Sequence, residues 1–202
     1  MKGTAMLSGA PRQLLAGLRM LLILTVILGA AYPLAVWGVG RIAFSGSANG
    51  SQITDAGGRV VGSSLLAQEF DGAQWFHPRP STGDYDTLAT GGTNLGPNSE
   101  KLEAQIAQRR YAVASEDSVP GARVAPSDVP ADAVTASFSG LDPHISPTYA
   151  RQQTARVARA RGLAPERVSA LVAEHTEGRQ NGYLGEERVN VVTLNLALQT
   201  AK

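Results

Sequence analysis

Cysteine is absent from the 202 residues, which excludes disulfides and thiolate chemistry and leaves packing alone to hold any folded part. Histidine occurs only three times, as His77, His144 and His175. Gly-x4-Gly-Lys-Ser/Thr, Gly-x-Gly-x-x-Gly, Gly-x-Ser-x-Gly and His-Glu-x-x-His are all missing. So is Asp-Lys-Thr-Gly, the signature of a phosphorylated aspartate, and the chain cannot itself be an ion-pumping ATPase of that type. Hydrolysis needs an activated nucleophile with an orienting partner, and no local set of that kind is visible. A site assembled from distant residues stays open. No internal repeat occurs, and no acidic residue precedes Ser45.

What is present first is an uncharged run from Met20 to Gly40. At ~1.5 Å per residue, its 21 residues make a helix of about 30 Å, the thickness of a bilayer's hydrocarbon core. The run is apolar all round rather than striped, as a membrane-spanning helix is. Lys2, Arg12 and Arg19 precede it, whereas Arg41 alone follows before Arg59. That bias predicts a cytoplasmic amino terminus and an extracytoplasmic carboxyl-terminal domain. A cleaved signal peptide, with Gly29-Ala30-Ala31 as cleavage site, is the alternative. The apolar stretch continues to Val39, longer than the usual signal core. The expected organisation is a cytoplasmic segment 1–19, a transmembrane helix 20–40, a linker 41–51 and an extracytoplasmic α+β domain 52–202. All 17 acidic residues and 14 of the 18 basic ones lie beyond residue 44, so that part carries −3, a poor partner for nucleic acid.

Within the domain, Gln52 to Leu66 reads as a hairpin around an Asp-Ala-Gly-Gly turn. Residues 70–98 are punctuated by Gly, Pro, Asn and Asp, with Trp75, Phe76 and Tyr85 as apolar anchors. Ser99 predicts the cap of a helix with Leu102, Ile106 and Val113 facing inward. Residues 115–133 read as a polar surface excursion. Ser146-Pro147 predicts a second helix ending at Gly162, and a third runs from Pro165 to His175 with Val168, Leu171 and Val172 inward. In RVNVVTLNLALQ, Val192, Leu194, Leu196 and Leu198 alternate and favour a buried strand. Val191, Leu194 and Leu198 would also fit a short helix.

The Asp142-x-His144 pair has metal-ligating residue types, but two side chains are fewer than a zinc site needs. A turn is the plainer reading, with His144 tying the loop to Ser146. His175 reads as a packed helix-end residue and His77 as a loop-packing one. The second and third helices imitate a helix-turn-helix, with Arg151, Arg156 and Arg159 on one side; the plainer reading is a solvated arginine face. The turn-rich segments around GGTNLGP and SGLDPHIS suit recognition by a large partner; the plainer reading is glycines that only permit tight turns.

VVGSSLLAQEF, WFHPRPS, GGTNLGPNS, VTASFSGLDPHISP, RVARARGL, HTEGR and RVNVVTLNLAL, behind one amino-terminal span, resemble the C subunit of the Kdp potassium-transporting P-type ATPase, the KdpC family. The resemblance implies a small accessory subunit of a bacterial inner-membrane complex. Its partners would be a channel-like potassium-translocating subunit, a P-type ATPase catalytic subunit and a small stabilising peptide. The implied role is assembly and capping of the potassium entrance. The alternative is a catalytic chaperone raising the ATP affinity of the catalytic subunit, with ATP as the ligand. No catalytic or metal residue is expected, and no nucleic acid. Motif or interface candidates are Arg79, Pro80, Ser81, Asn94, Gly96, Asp142, His144, His175, Glu177 and Arg179. Gly29, Ala30, Ala31, Ala35 and Gly38 are candidates for close helix packing in the bilayer. A stand-alone anchored enzyme would have to use Asp142, His144, His175 and Glu177. A stand-alone binding protein is a further class, which would not co-purify with large membrane subunits.

Overall fold

A computed structural model describes residues 9–201, in two compact units that divide between Ser51 and Gln52. The first unit is one helix, Ala10–Ala43, of 34 residues, long and apolar enough to cross a membrane. Residues 11–37 are all exposed. It comprises α1 (Ala10–Val26), a π-helical turn (Ile27–Ala31) and α2 (Tyr32–Ala43), followed by the short α3 (Ser45–Ala48). The Tyr32 N–H donates to Ile27 O, closing the wide turn. Its cause is Pro33, which has no N–H to offer the Gly29 carbonyl one turn back and whose ring crowds it. Gly29, Ala30 and Ala31 lie in that turn, and Ala35 and Gly38 on α2. The segment expected to be linker is thus helical for most of residues 41–48.

The second unit is α+β. Its hairpin pairs β1 (Gln52–Thr54) with β2 (Val60–Ser63), antiparallel, with a bulge at Ile53/Thr54. Asp55 closes the turn by accepting the Gly57 and Arg59 amides. Residues 64–99 contain no regular element, yet they are fastened throughout, as the site below describes.

Ser99 caps α4 (Glu100–Asp117) by accepting the Leu102 N–H. A 3-10 turn (Pro126–Asp128) and α5 (Ala131–Val134) follow. The predicted surface excursion is only partly one: Asp117, Val129 and Ala133 are buried. β3 (His144–Ile145) leads into α6 (Pro147–Arg161), whose Ser146 cap accepts the Tyr149 N–H. Gly162 ends α6 at φ +66°, a left-handed conformation that a Cβ would strain. Then come α7 (Pro165–Glu174), β4 (Thr176–Glu177), β5 (Arg188–Asn190) and α8 (Val191–Thr200). The small sheet has order β3-β5-β4, antiparallel at both pairings.

The core gathers around α6: Phe76, Ile145, Tyr149, Val157, Val168, Leu171, Val172, Val189, Leu194 and Leu198 are among its members. The terminal RVNVVTLNLAL segment corrects the strand expectation: only its first three residues pair in the sheet, and the rest is α8. Asn190 causes the switch, since its side chain accepts the Val192 and Thr193 amides as an amino-terminal cap. Val191, Leu194 and Leu198 then share the buried face, while Leu196 is half-exposed.

Candidate functional site

Arg79, Asp142 and His144 are brought together beside an open cavity of about 580 Å³. Arg79 donates to the Asp142 carboxylate at 3.1 Å and to Thr135 O at 3.4 Å. The other Asp142 oxygen accepts the His144 amide at 3.0 Å and faces its Nδ1 at 3.3 Å. Burial opposes the charge on Asp142, but the bonds from His144 and Arg79 together hold its carboxyl below the ordinary range. The Asp142 turn is therefore as expected, with one correction. Ser146 is held not by His144 but by Asp132, which accepts its amide at 2.6 Å and its hydroxyl at 3.0 Å.

The neighbouring candidates shape this wall. The Pro80 carbonyl accepts the Ser137 amide, and Ser81 Oγ accepts the Gly83 and Tyr85 amides. The Tyr85 hydroxyl donates to Arg79 O, and burial, with Glu69 and Asp84 nearby, pushes its pKa up to about 12. Gly140, at φ +72°, passes within 3.2 Å (measured to an added Cβ) of Ser81 Oγ, so a side chain there would crowd the wall. Asn94 is exposed at φ +53° and Gly96 O accepts the Ser99 amide, so both shape the approach to α4.

The remaining candidates lie elsewhere. His175 Nδ1 meets Leu171 O at 3.0 Å, as a helix-end residue should. Glu177 pairs with Arg188 and Arg179 with Glu186, each at 2.8 Å on the surface. β5 lies between β3 and β4, so His144 and Glu177 stand two strands apart, about 10 Å in backbone spacing. The four residues that a stand-alone enzyme would use are therefore not one constellation. Among the described residues, no three His, Asp or Glu side chains gather where a metal could be held.

The polar centre of the domain is one that residue types alone concealed. Arg156 is 2% exposed, which corrects the solvated arginine face; only Arg151 and Arg159 are exposed. Its guanidinium donates to Asp117 at 2.8 Å, to Ala73 O and Trp75 O at 2.9 Å, and to Gln153 Oε1 at 2.7 Å. Gln153 brackets the His77 backbone, accepting its N–H and donating to its carbonyl. Asn195 does the same for Phe76. Residues 73–77 are thus bound by side chains of α6 and α8 much as a sheet neighbour would bind a strand. The His77 ring faces Gly72 O with Nε2 and Glu116 with Nδ1, and the bond to His77 chiefly lowers the Glu116 pKa. Arg161 lies over the Trp75 ring at 4.3 Å and donates to Gln74 O. The available signal was spacing: Tyr149, Gln153 and Arg156 fall at i, i+4 and i+7 on one helix face.

Fold and site define a class: an α+β domain following one long apolar helix, with buried Gln153, Arg156 and Asn195 fastening its own loop. The family model of the K+-transporting ATPase, c chain (KdpC), matches residues 14–200, and the chain belongs to this family. A Kineococcus radiotolerans protein named potassium-transporting ATPase KdpC subunit is 55% identical over 192 residues, covering 94% of each chain. The Mycobacterium bovis protein of that name is 50% identical over 189 residues, covering 93% of this chain and 97% of its own. That from Streptomyces coelicolor is 46% identical over 212 residues, covering 95% and 94%. The family is a subunit of the potassium-transporting ATPase, so partner subunits come with it.

Proposed function

We propose that this chain is a non-catalytic accessory subunit of a high-affinity, ATP-driven potassium uptake complex of the bacterial inner membrane. The Ala10–Ala43 helix spans the bilayer with the amino terminus cytoplasmic, and residues 52–202 fold on the outer face. There the domain assembles and stabilises the complex and covers the potassium entrance of the channel-like subunit. The P-type catalytic subunit and the small peptide are its other partners. The observation that carries this reading is the family match along residues 14–200. The orientation rests on the basic residues before the apolar run, Lys2, Arg12 and Arg19, against Arg41 alone just after it. In this orientation the domain faces potassium and not ATP, which is why the ATP-affinity role ranks second.

The chain has no native cysteine, so single cysteines report topology without background. Cysteines at Ser47 and Ser127, both exposed, are expected to react with an impermeant reagent added outside the cell. Labelling only from the cytoplasmic face would overturn the orientation. Photo-labelling of residues 52–202 by an ATP analogue, competed by unlabelled ATP, would move the chaperone role to first place.

A further inference from the structure

We propose that Asn181 is a site of spontaneous deamidation, and that the folded chain protects its other Asn-Gly pair, Asn49-Gly50, from the same reaction. Asparagine loses ammonia when the amide nitrogen of the next residue attacks its side-chain Cγ and closes a five-membered imide. Glycine in that next position favours the attack, because no Cβ crowds the nitrogen. Asparagine is followed by glycine only at positions 49 and 181, and both asparagines are exposed. The attacking side of the two pairs is matched. Gly50 has φ +84° and Gly182 φ +82°. The Gly50 N–H donates to Ser47 O and the Gly182 N–H to Arg179 O, each at 3.1 Å.

The attacked side differs. The Asn49 carboxamide is held at both ends: Nδ2 donates to Ser45 O at 2.8 Å, and Oδ1 accepts Arg41 Nη1. Arg41 is itself placed over the Trp37 ring, 5.7 Å from its centroid. Turning Cγ onto the Gly50 nitrogen therefore requires both bonds to break. Among the described residues, no partner meets the Asn181 carboxamide, and residues 177–187 are all exposed, so its rotamers are free. Asn181 and Gly182 lie at the tip between β4 and β5, where Gln180 and Leu184 exchange both backbone bonds at 2.9 Å. In the reaction the Gly182 nitrogen bonds to Asn181 Cγ and gives up its proton, the Cγ–Nδ2 bond breaks, and ammonia leaves. Water then opens the imide at either carbonyl, giving aspartate or isoaspartate. Both products add a negative charge to a hairpin that already carries Glu177, Glu186 and Glu187. Isoaspartate also lengthens the main chain by one methylene, which a tip fixed by the Gln180–Leu184 pair does not accommodate.

The test ages the full chain in mild detergent at mildly alkaline pH, in heavy-oxygen water, and follows the peptides carrying Asn49 and Asn181 by mass spectrometry. Heavy oxygen enters when water opens the imide, so the label marks conversion during ageing. The same measurement in denaturant gives the rate of each pair without the fold. Folding is expected to slow Asn49 at least tenfold more than Asn181, each against its own unfolded rate. Asn181→Gln is expected to abolish the label in its peptide, because the larger ring it would need closes far more slowly. Arg41→Ala is expected to raise the Asn49 rate several-fold by releasing Oδ1. Equal protection of the two asparagines would overturn the proposal. So would an Asn181 that stays unconverted in the folded chain while the denatured chain converts. An unchanged Asn49 rate in Arg41→Ala would refute the carboxamide clasp as the cause of protection.

Discussion

Arg156 shows how far one side chain can organise a domain. A guanidinium taken out of water is tolerated only when its charge and its donors are all met, and here Asp117, Gln153 and two carbonyls meet them. Arg156→Ala would leave Asp117 buried without its counter-charge and release the carbonyls of Ala73 and Trp75. The expected loss is about 3–5 kcal/mol in denaturant unfolding of the detergent-solubilised chain, against less than about 0.5 kcal/mol for Arg159→Ala. Equal effects for the two would disprove the hub. Glu116 supplies a pH dependence with a definite sign. Its pKa is lowered from 4.5 by folding, so its contribution is present above that value and disappears as pH falls through the lower folded one. Because the carboxylate is 44% exposed, solvent screening keeps that contribution under about 1 kcal/mol. Glu116→Gln should therefore flatten the acid side of a melting-temperature profile slightly, below about pH 4.5.

Among the elements, α8 is the one whose type was undecided by pattern. An apolar segment such as VVTLNLAL satisfies a period of two and a period near 3.6 together, because nearly every position is apolar. Asn190 breaks the tie by capping, and Asn195 then faces the Phe76 backbone from the buried side. A strand would make Leu194 and Leu196 equivalent. The helix makes them differ: Leu194→Ala should cost about 2–5 kcal/mol and Leu196→Ala clearly less, as unfolding midpoints would report. Comparable losses would favour the strand. The start of α4 and both ends of α6 were legible for the opposite reason, since Ser99, Ser146-Pro147 and Gly162 act on their own backbone within one turn.

For the whole molecule, the division at Ser51/Gln52 separates an apolar helix from a domain that contains every acidic residue. The cysteine labelling at Ser47 and Ser127 belongs to this scale, because orientation is a property of the chain in its bilayer rather than of any contact within the domain. The wall around Arg79 and Asp142 was legible only as motif residues worth naming. Their union with the Phe138 loop joins segments some 60 residues apart, and no spacing in a linear sequence encodes such an approach.

By itself the sequence determined whatever depends on neighbours along the chain: the apolar run from Met20 to Gly40, the caps at Ser99 and Ser146, the left-handed stop at Gly162, and the motifs of the family. The tertiary structure alone decided which arginine is buried, how the irregular residues 73–77 are clasped by Gln153, Arg156 and Asn195, and where Phe138 points. The physical reason is desolvation. Whether a charge or a ring is covered depends on what packs over it, and that is settled by residues far away in the chain.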